Sequence, residues 1–279
     1  MASYRSGATG EVVSLFGDSV FMETLALRGF DFRRSLGAHS YTSADLAARE
    51  VGGLYAKATT PEAADRLVAV LSRDMEAGTP GTLTSRGWSQ RALVPAVSVA
   101  SRRGCEVHLD VTVALLDGWW CRPTLHRLSP ATGGSQGTAS VDLPLDLPFD
   151  LGGTTGASKV VTAGMPALLR LVFYGPCSSP YVVVSAPGFS NRYGVSASCG
   201  EGERIVIDPT RTAEVGESVY RVGSYGQRTN LFAQRMGEVR GSGTYPFERL
   251  RPGVYTVAWN GSTGVDVELV ELSGGLPWS

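Results

Sequence analysis

An all-β chain of two domains, the first carrying a single helix, is what this sequence predicts, and three observations carry the prediction. Cys105-Glu-Val-His-Leu-Asp-Val-Thr-Val-Ala-Leu115 alternates with a period of two, which a half-buried strand requires. The 35 glycines exceed the usual share of about 7%, and charged residues, at 18%, fall below the usual share of about 25%, the profile of strand-and-turn architectures. The run Ser129-Pro-Ala-Thr-Gly-Gly-Ser-Gln-Gly-Thr-Ala-Ser140 holds too little apolar surface to order itself and divides the 279 residues. Both fragments are large enough for a core, so the reading is a first domain over 1–128, a linker over 129–144 and a β-sandwich over 145–279.

In chain order, Glu11–Phe16 and Val20–Leu27 read as strands of a hairpin turning at Gly17-Asp18, with Leu25 and Leu27 on one face; Phe30–Arg34 is a continuation. Between Gly37 and Thr60 the apolar residues Tyr41, Leu46, Val51, Leu54 and Tyr55 follow no clean period. This segment reads as an irregular arm whose sticky residues, and the free edges of the opening ribbon, suit a contact with a neighbouring subunit.

Thr60-Pro61-Glu62 then supplies an N-cap, a proline at the first helical position and an acidic residue at the positive end of the dipole. The helix runs over 61–77, with Ala63, Leu67, Val70, Leu71 and Met75 as the stripe that packs on a sheet. Arg91–Ala100 is a strand whose Pro95 marks an edge or a bulge. The long strand follows, with Cys105, Val107, Leu109, Val111, Val113 and Leu115 on its core face and His108 on the other. Asp117-Gly-Trp-Trp120 is its exit.

The second half shows no helical pattern. Ser158–Thr162, Ala167–Tyr174, Tyr181–Ala186, Tyr193–Cys199, Glu203–Ile207, Gly253–Trp259 and Val265–Glu271 are short β-rich runs separated by turn residues, the signature of a β-sandwich. Asn260-Gly261 is a hairpin turn before the last of them.

Several chemistries are disfavoured. A net charge of −1 leaves no electrostatic excess for nucleic acid. No apolar run approaches the roughly 18 residues of a membrane helix, and the first residues lack the apolar core of a secretory signal, so the expectation is a soluble product of the cytoplasm. The four cysteines form no Cys-x-x-Cys pair and read as free thiols; the three histidines, His39, His108 and His126, are scattered, so no metal site and no cofactor is expected. Gly133-Gly-Ser135-Gln-Gly137 matches a hydrolase elbow, but that motif works only on a strand-to-helix turn, and here it stands in a linker. Glu201 and Glu203, the carboxylates a glycosidase would need, read as a solvated turn. The expectation is that no residue is catalytic.

Gly-Glu-Arg-Ile-Val-Ile-Asp208, then Leu250-Arg-Pro-Gly253 and the closing strand Val254–Trp259, resemble the C-terminal domain of distal tail (Dit-like) proteins of long-tailed bacteriophages of the siphovirus type. The first half, with its ribbon, arm, helix, strand pair and Asp-Gly-Trp-Trp exit, is similar to that family's N-terminal domain. Gly118 stands where the family usually has proline. The resemblance implies a structural virion protein with a galectin-like second domain. It would form a hexameric ring at the tail tip, joining the tail tube protein to tail-hub and baseplate proteins. A rival reading is a carbohydrate-binding module that stacks Tyr181, Phe189, Tyr193 or Tyr225 on a host-surface glycan, although packing alone accounts for strand aromatics; an unrecognised hydrolase ranks third.

Overall fold

The structure is a computed structural model and describes residues 2–36, 41–130, 157–210, 218–259 and 263–278. Ser135 with its glycines, most of the predicted linker, His39 and the Asn260-Gly261 turn lie outside those residues. The chain forms two compact units, one of residues 1–122 with 272–279 and the other of residues 123–271. The last eight residues thus belong with the first unit.

The strands of the first half are β1 (Ala2–Arg5), β2 (Val12–Ser14), β3 (Val20–Met22), β4 (Phe32–Leu36), β5 (Tyr41–Leu46), β6 (Arg49–Ala58), β7 (Gly81–Ser85), β8 (Trp88–Arg103), β9 (Glu106–Leu115) and β10 (Trp120–Leu128), with helix α1 at Pro61–Ala77 between β6 and β7. Unit 1 is built on one antiparallel sheet in the order β2-β1-β7-β8-β9-β6-β3. Its two ends meet: the Met22 amide donates to the Leu15 carbonyl (2.8 Å), the Gly17 amide donates to Val20 (3.0 Å), and Phe16 bridges to Phe21. The sheet therefore curls on itself, and the edges that the ribbon was expected to offer a neighbour largely satisfy each other.

β9 is the predicted long strand. Val107, Leu109, Val111, Val113 and Leu115 are buried, but Cys105 lies before the strand begins and is exposed. Helix α1 occupies the predicted 61–77, with the Thr60 hydroxyl accepting from the Ala63 amide (3.2 Å) and Gly78 closing it at φ 61°. Its buried face is Ala64, Leu67, Val70, Leu71 and Asp74, so the stripe is turned from the expected one; Met75 is 38% exposed and a carboxylate takes the place beside it. The strand carrying Pro95 pairs on both sides, and its register shifts between Leu93 and Ala96, the bulge alternative of the prediction.

The arm is corrected. Residues 41–58 hold β5, paired with β4 as a two-stranded ribbon, and β6, a ten-residue strand between β3 and β9. The pairing of β6 with β9 shifts between Val51 and Leu54, so that two residues three apart both face the core. A bulge at Gly52-Gly53 hides a strand from a period-two search. The hairpin's second strand is corrected too: after Met22 the chain turns into a 3-10 helix at Leu25–Arg28, where Leu27 is fully buried and Leu25 is 56% exposed.

Unit 2 carries β11 (Ala157–Ala163), β12 (Ala167–Tyr174), β13 (Cys177–Ser178), β14 (Tyr181–Ala186), β15 (Phe189–Gly194), β16 (Ser198–Cys199), β17 (Arg204–Asp208), β18 (Ser218–Val222), β19 (Arg228–Asn230), β20 (Gly253–Trp259) and β21 (Val265–Ser273, whose last two residues belong to unit 1). One sheet runs β19-β18-β17-β12-β21 and the other β11-β20-β14-β15, all antiparallel. Leu169, Leu171, Phe173, Ile205, Ile207 and Val267 from the first meet Val161, Val182, Val184, Tyr193, Val257 and Trp259 from the second in one core. That is a sandwich. The period-two runs fix it: β12, β14 and β20 begin and end where the sequence places them. The predicted strand over 193–199 is instead the end of β15 and the short β16, parted by Val195–Ala197.

Candidate assembly surfaces

The residues first considered for a subunit contact are mostly interior. Leu46, Val51 and Leu54 are buried within unit 1, and Tyr41 lies on β5 with its side chain outside the described residues. Tyr55 stays on the solvent face, where its hydroxyl meets His108 Nδ1 (2.9 Å) and its ring packs edge-on to the imidazole. Beside them Lys57 pairs with Glu106 (2.6 Å), which holds the Glu106 carboxyl below its ordinary range. The face is a polar ladder typical of a solvated strand pair.

Exposed apolar residues of unit 1 include Phe30, Val99 and Trp278 and a run between residues 12 and 25, at Val12 (57% exposed), Phe16 (54%), Phe21 (39%) and Leu25 (56%), with the Phe16 and Phe21 rings 5.1 Å apart. Sequence reasoning passed over these residues. The signal was there: in Val12-Val-Ser-Leu-Phe16 both faces of a short strand are apolar, and one sheet can bury only one of them.

The exit turn after β9 is rigidly specified. Asp117 accepts from the Arg91 amide (2.9 Å) and from its Nε (2.7 Å), locking the turn to β8. Gly118 adopts φ 72°, and a Cβ there would stand 2.7 Å from the Leu46 carbonyl oxygen. Proline, fixed near φ −65°, could not take this conformation. Glycine at position 118 is therefore required by the way this chain turns.

At the C-terminus, Leu276 is buried in unit 1, its amide donates to the Leu27 carbonyl (3.1 Å), and Arg28 donates to the Pro277 carbonyl (2.9 Å) while its guanidinium stacks 3.7 Å from the Trp278 ring centre. The tail completes the unit that the first residues began.

In unit 2 a groove of about 650 Å³ is lined by residues 186–191, 241, 243, 248, 249 and 251–255. Among the four candidate sugar-stacking aromatics, Phe189 alone lines it, half-buried and edge-on to Tyr255. Tyr193 is fully buried, its hydroxyl donating to the Glu248 carbonyl (3.2 Å), and has no face to offer a ligand. Arg192 covers the Tyr181 ring at 4.5 Å, and Tyr225 is 95% exposed in the turn between β18 and β19. Glu203 folds back to accept from the Gly200 amide (2.8 Å), which makes it a turn-capping residue. Among the described residues no group of three or more His, Cys, Asp or Glu is placed to hold a metal ion, and no helix is long and apolar enough to cross a membrane.

Comparison with solved structures decides what this architecture is. The Dit protein (gp 19.1) of phage SPP1, described as a paradigm of the hub adsorption apparatus in phages infecting Gram-positive bacteria, superposes with a TM-score of 0.56 over 98% of this chain and 99% of its own, at 11% identity. The chain has the Dit-like fold. A protein of the phage P2 baseplate in its activated conformation matches in two structures, with Ca and with Sr, at TM-scores of 0.51 and 0.52, each covering 99% of this chain and 100% of the other at 11% identity. No family model and no curated protein sequence matches the chain. At this identity the likeness concerns the fold, and it extends over 98–99% of this chain.

Proposed function

We propose that this protein is a structural component of a phage tail, a distal tail protein whose copies close into a ring of six subunits between the tail tube and the baseplate hub. The observation that carries the reading is the coverage: the Dit-like fold is matched over 98% of this chain and 99% of the SPP1 protein. The apolar residues Val12, Phe16, Phe21 and Leu25 support the self-association, because an apolar surface on a neutral chain finds its simplest cover in a second copy. Head-to-tail contacts close into a ring when their rotation permits. Six copies of 29.5 kDa make a particle of about 177 kDa.

Light scattering across a concentration series tests the reading, with Phe16→Glu/Leu25→Glu as the variant expected to shift the mass to the monomer. A wild-type chain that remains monomeric even with its tail-hub partner present would remove the ring.

The groove beside Phe189 favours one second reading, a host-surface glycan held in unit 2. Binding to a glycan array by the full chain, abolished in Phe189→Ala, is the outcome it requires.

A further inference from the structure

The cysteines contain a pair. Cys177 on β13 and Cys199 on β16 are direct cross-strand partners, their Sγ atoms are 3.1 Å apart, and the next rung pairs Ser178 with Ser198. Facing residues of an antiparallel pair stand about 4.5–5.5 Å apart at Cα, inside the span a disulfide bridges. Gly175 stands against the pair: a Cβ there would lie 3.2 Å from the Cys199 sulfur and closer still to the Gly200 carbonyl, so the backbone leaves that room to the sulfur. Cys177 is half-exposed, whereas Cys199 is buried.

The place of the pair in the fold gives it a consequence. β12 and β17 are neighbours in one sheet, β14 and β15 in the other, and the chain passes from β12 to β14 through β13 and returns from β15 to β17 through β16. These two crossings between the sheets of unit 2 thus run side by side at this rung. A bond between them would close the 22-residue separation that holds the whole β14–β15 hairpin, the edge of its sheet.

We propose that Cys177 and Cys199 are a modification site, a thiol pair that an external disulfide of the glutathione class converts into a cross-strand bond clamping the β14–β15 hairpin. The half-exposed Cys177 thiolate attacks one sulfur of glutathione disulfide and releases one glutathione, leaving a mixed disulfide on Cys177. Cys199 then loses its proton, attacks the Cys177 sulfur and displaces the second glutathione. Two protein thiols have become one disulfide and the external disulfide has become two thiols, so two electrons and two protons are accounted for. This order follows from access, and burial together with the Cys177 neighbour pushes the Cys199 thiol up to about 12, which makes it the poorer first nucleophile.

The test incubates the folded full-length protein, purified under reducing conditions, with glutathione disulfide. Before alkylation the intact mass should be lower by about 2 Da, after alkylation the chain should carry two alkyl groups in place of four, and a non-reducing peptide map should join Cys177 to Cys199 while Cys105 and Cys121 stay free. Unfolding of unit 2 should rise by roughly 5–10 °C, reverse with dithiothreitol and be absent in Cys177→Ser. Four free thiols after treatment, a glutathione adduct that persists on Cys177, or a link to Cys105 or Cys121 would overturn the site. The correct link with no change in melting would overturn the clamp.

Discussion

Asp74 in unit 1 and Asp208 in unit 2 are buried carboxylates held in different ways. In unit 1 the side chain of Asp74, fully buried at the end of α1, accepts from four neutral donors: the Tyr4 hydroxyl (2.7 Å), the Ser6 hydroxyl (2.6 Å) and the amides of Gly7 (3.2 Å) and Ala8 (3.0 Å). In unit 2 the carboxylate of Asp208 accepts from the Thr210 amide (2.9 Å) and meets a cation, Arg170, which reaches from β12 to Asp208 on β17 (3.1 Å) and to Glu268 on β21 (3.0 Å), its side chain about one-third exposed. Unit 1 spends backbone and hydroxyl donors on one anion to tie the first residues of the chain to its helix. At Asp208 unit 2 pairs opposite charges across three strands, and its buried Glu271 accepts from the amides of Gly164 (2.7 Å) and Met165 (3.1 Å). The lesson is that equal-looking carboxylates answer to different perturbations, Asp74 to protonation and the Arg170 group to salt.

The largest effect should come from Asp74→Ala, which strands four buried or half-buried donors at once and should cost about 3–5 kcal/mol in unit 1, read from chemical denaturation. Acid offers a gentler break. Burial pushes the Asp74 carboxyl up, but the hydrogen bonds from Ser6, Tyr4, Ala8 and Gly7 together outweigh it and leave its pKa below the ordinary value. A folded pKa below the unfolded one, about 3.9, means that the stabilisation is complete above that value and fades as the pH falls through the folded pKa. Melting measured from pH 5 down to pH 2 should lose stability below about pH 4, and Asp74→Asn should flatten that limb. An unchanged acid limb in Asp74→Asn would assign the loss to other carboxylates.

Arg170→Met comes next, at about 1–3 kcal/mol, because it leaves Asp208 and Glu268 facing each other without their cation. High salt should weaken the wild-type contribution here and leave that of Asp74 nearly untouched. If 1 M NaCl narrowed the Asp74→Ala gap as much as the Arg170→Met gap, the contrast between the units would fail.

The same contrast explains what the sequence made legible. Unit 2 is held by regular alternation, so β12, β14 and β20 could be bounded to the residue, and α1 could be bounded because Thr60, Pro61 and Gly78 are local signals that tertiary structure left in place. Unit 1 is held by irregularities. The bulge at Gly52-Gly53 breaks the period of β6, the 3-10 turn at Leu25–Arg28 sends two leucines opposite ways, and Asp74 looks polar by type yet packs inside. Those features depend on partners far along the chain, such as Tyr4 and Asp74, 70 residues apart, which no local window contains. The residues proposed for a subunit contact came from a stretch read as an arm, and three of them, Leu46, Val51 and Leu54, are core residues of unit 1, while the two-faced apolar strand at Val12–Phe16 leaves Val12 and Phe16 exposed. The thiol pair could not be read at all, since only register brings residues 177 and 199 together.

Thr60→Ala should cost about 1 kcal/mol, since it removes a single cap from a helix that packing also holds.

The smallest effect should be that of Lys57→Ala, and its size is informative because the pair it breaks looks strong. Lys57 and Glu106 are 2.6 Å apart across β6 and β9, with side chains 34% and 43% exposed. An ion pair in that setting gains little over water, since each charge keeps much of its hydration and two long side chains give up rotamer freedom to meet. The expected loss is about 0.5 kcal/mol or less, falling toward zero in high salt. Glu106 also lies 3.8 Å from His108 Nε2, so part of its charge can be redirected to the imidazole when the lysine is gone. Chemical denaturation of Lys57→Ala beside Asp74→Ala, at low and high salt, measures both ends of the range in one unit. A Lys57→Ala loss comparable to that of Asp74→Ala would mean that the solvent face of β6 and β9 is covered in solution, as a subunit contact through Tyr55 would cover it.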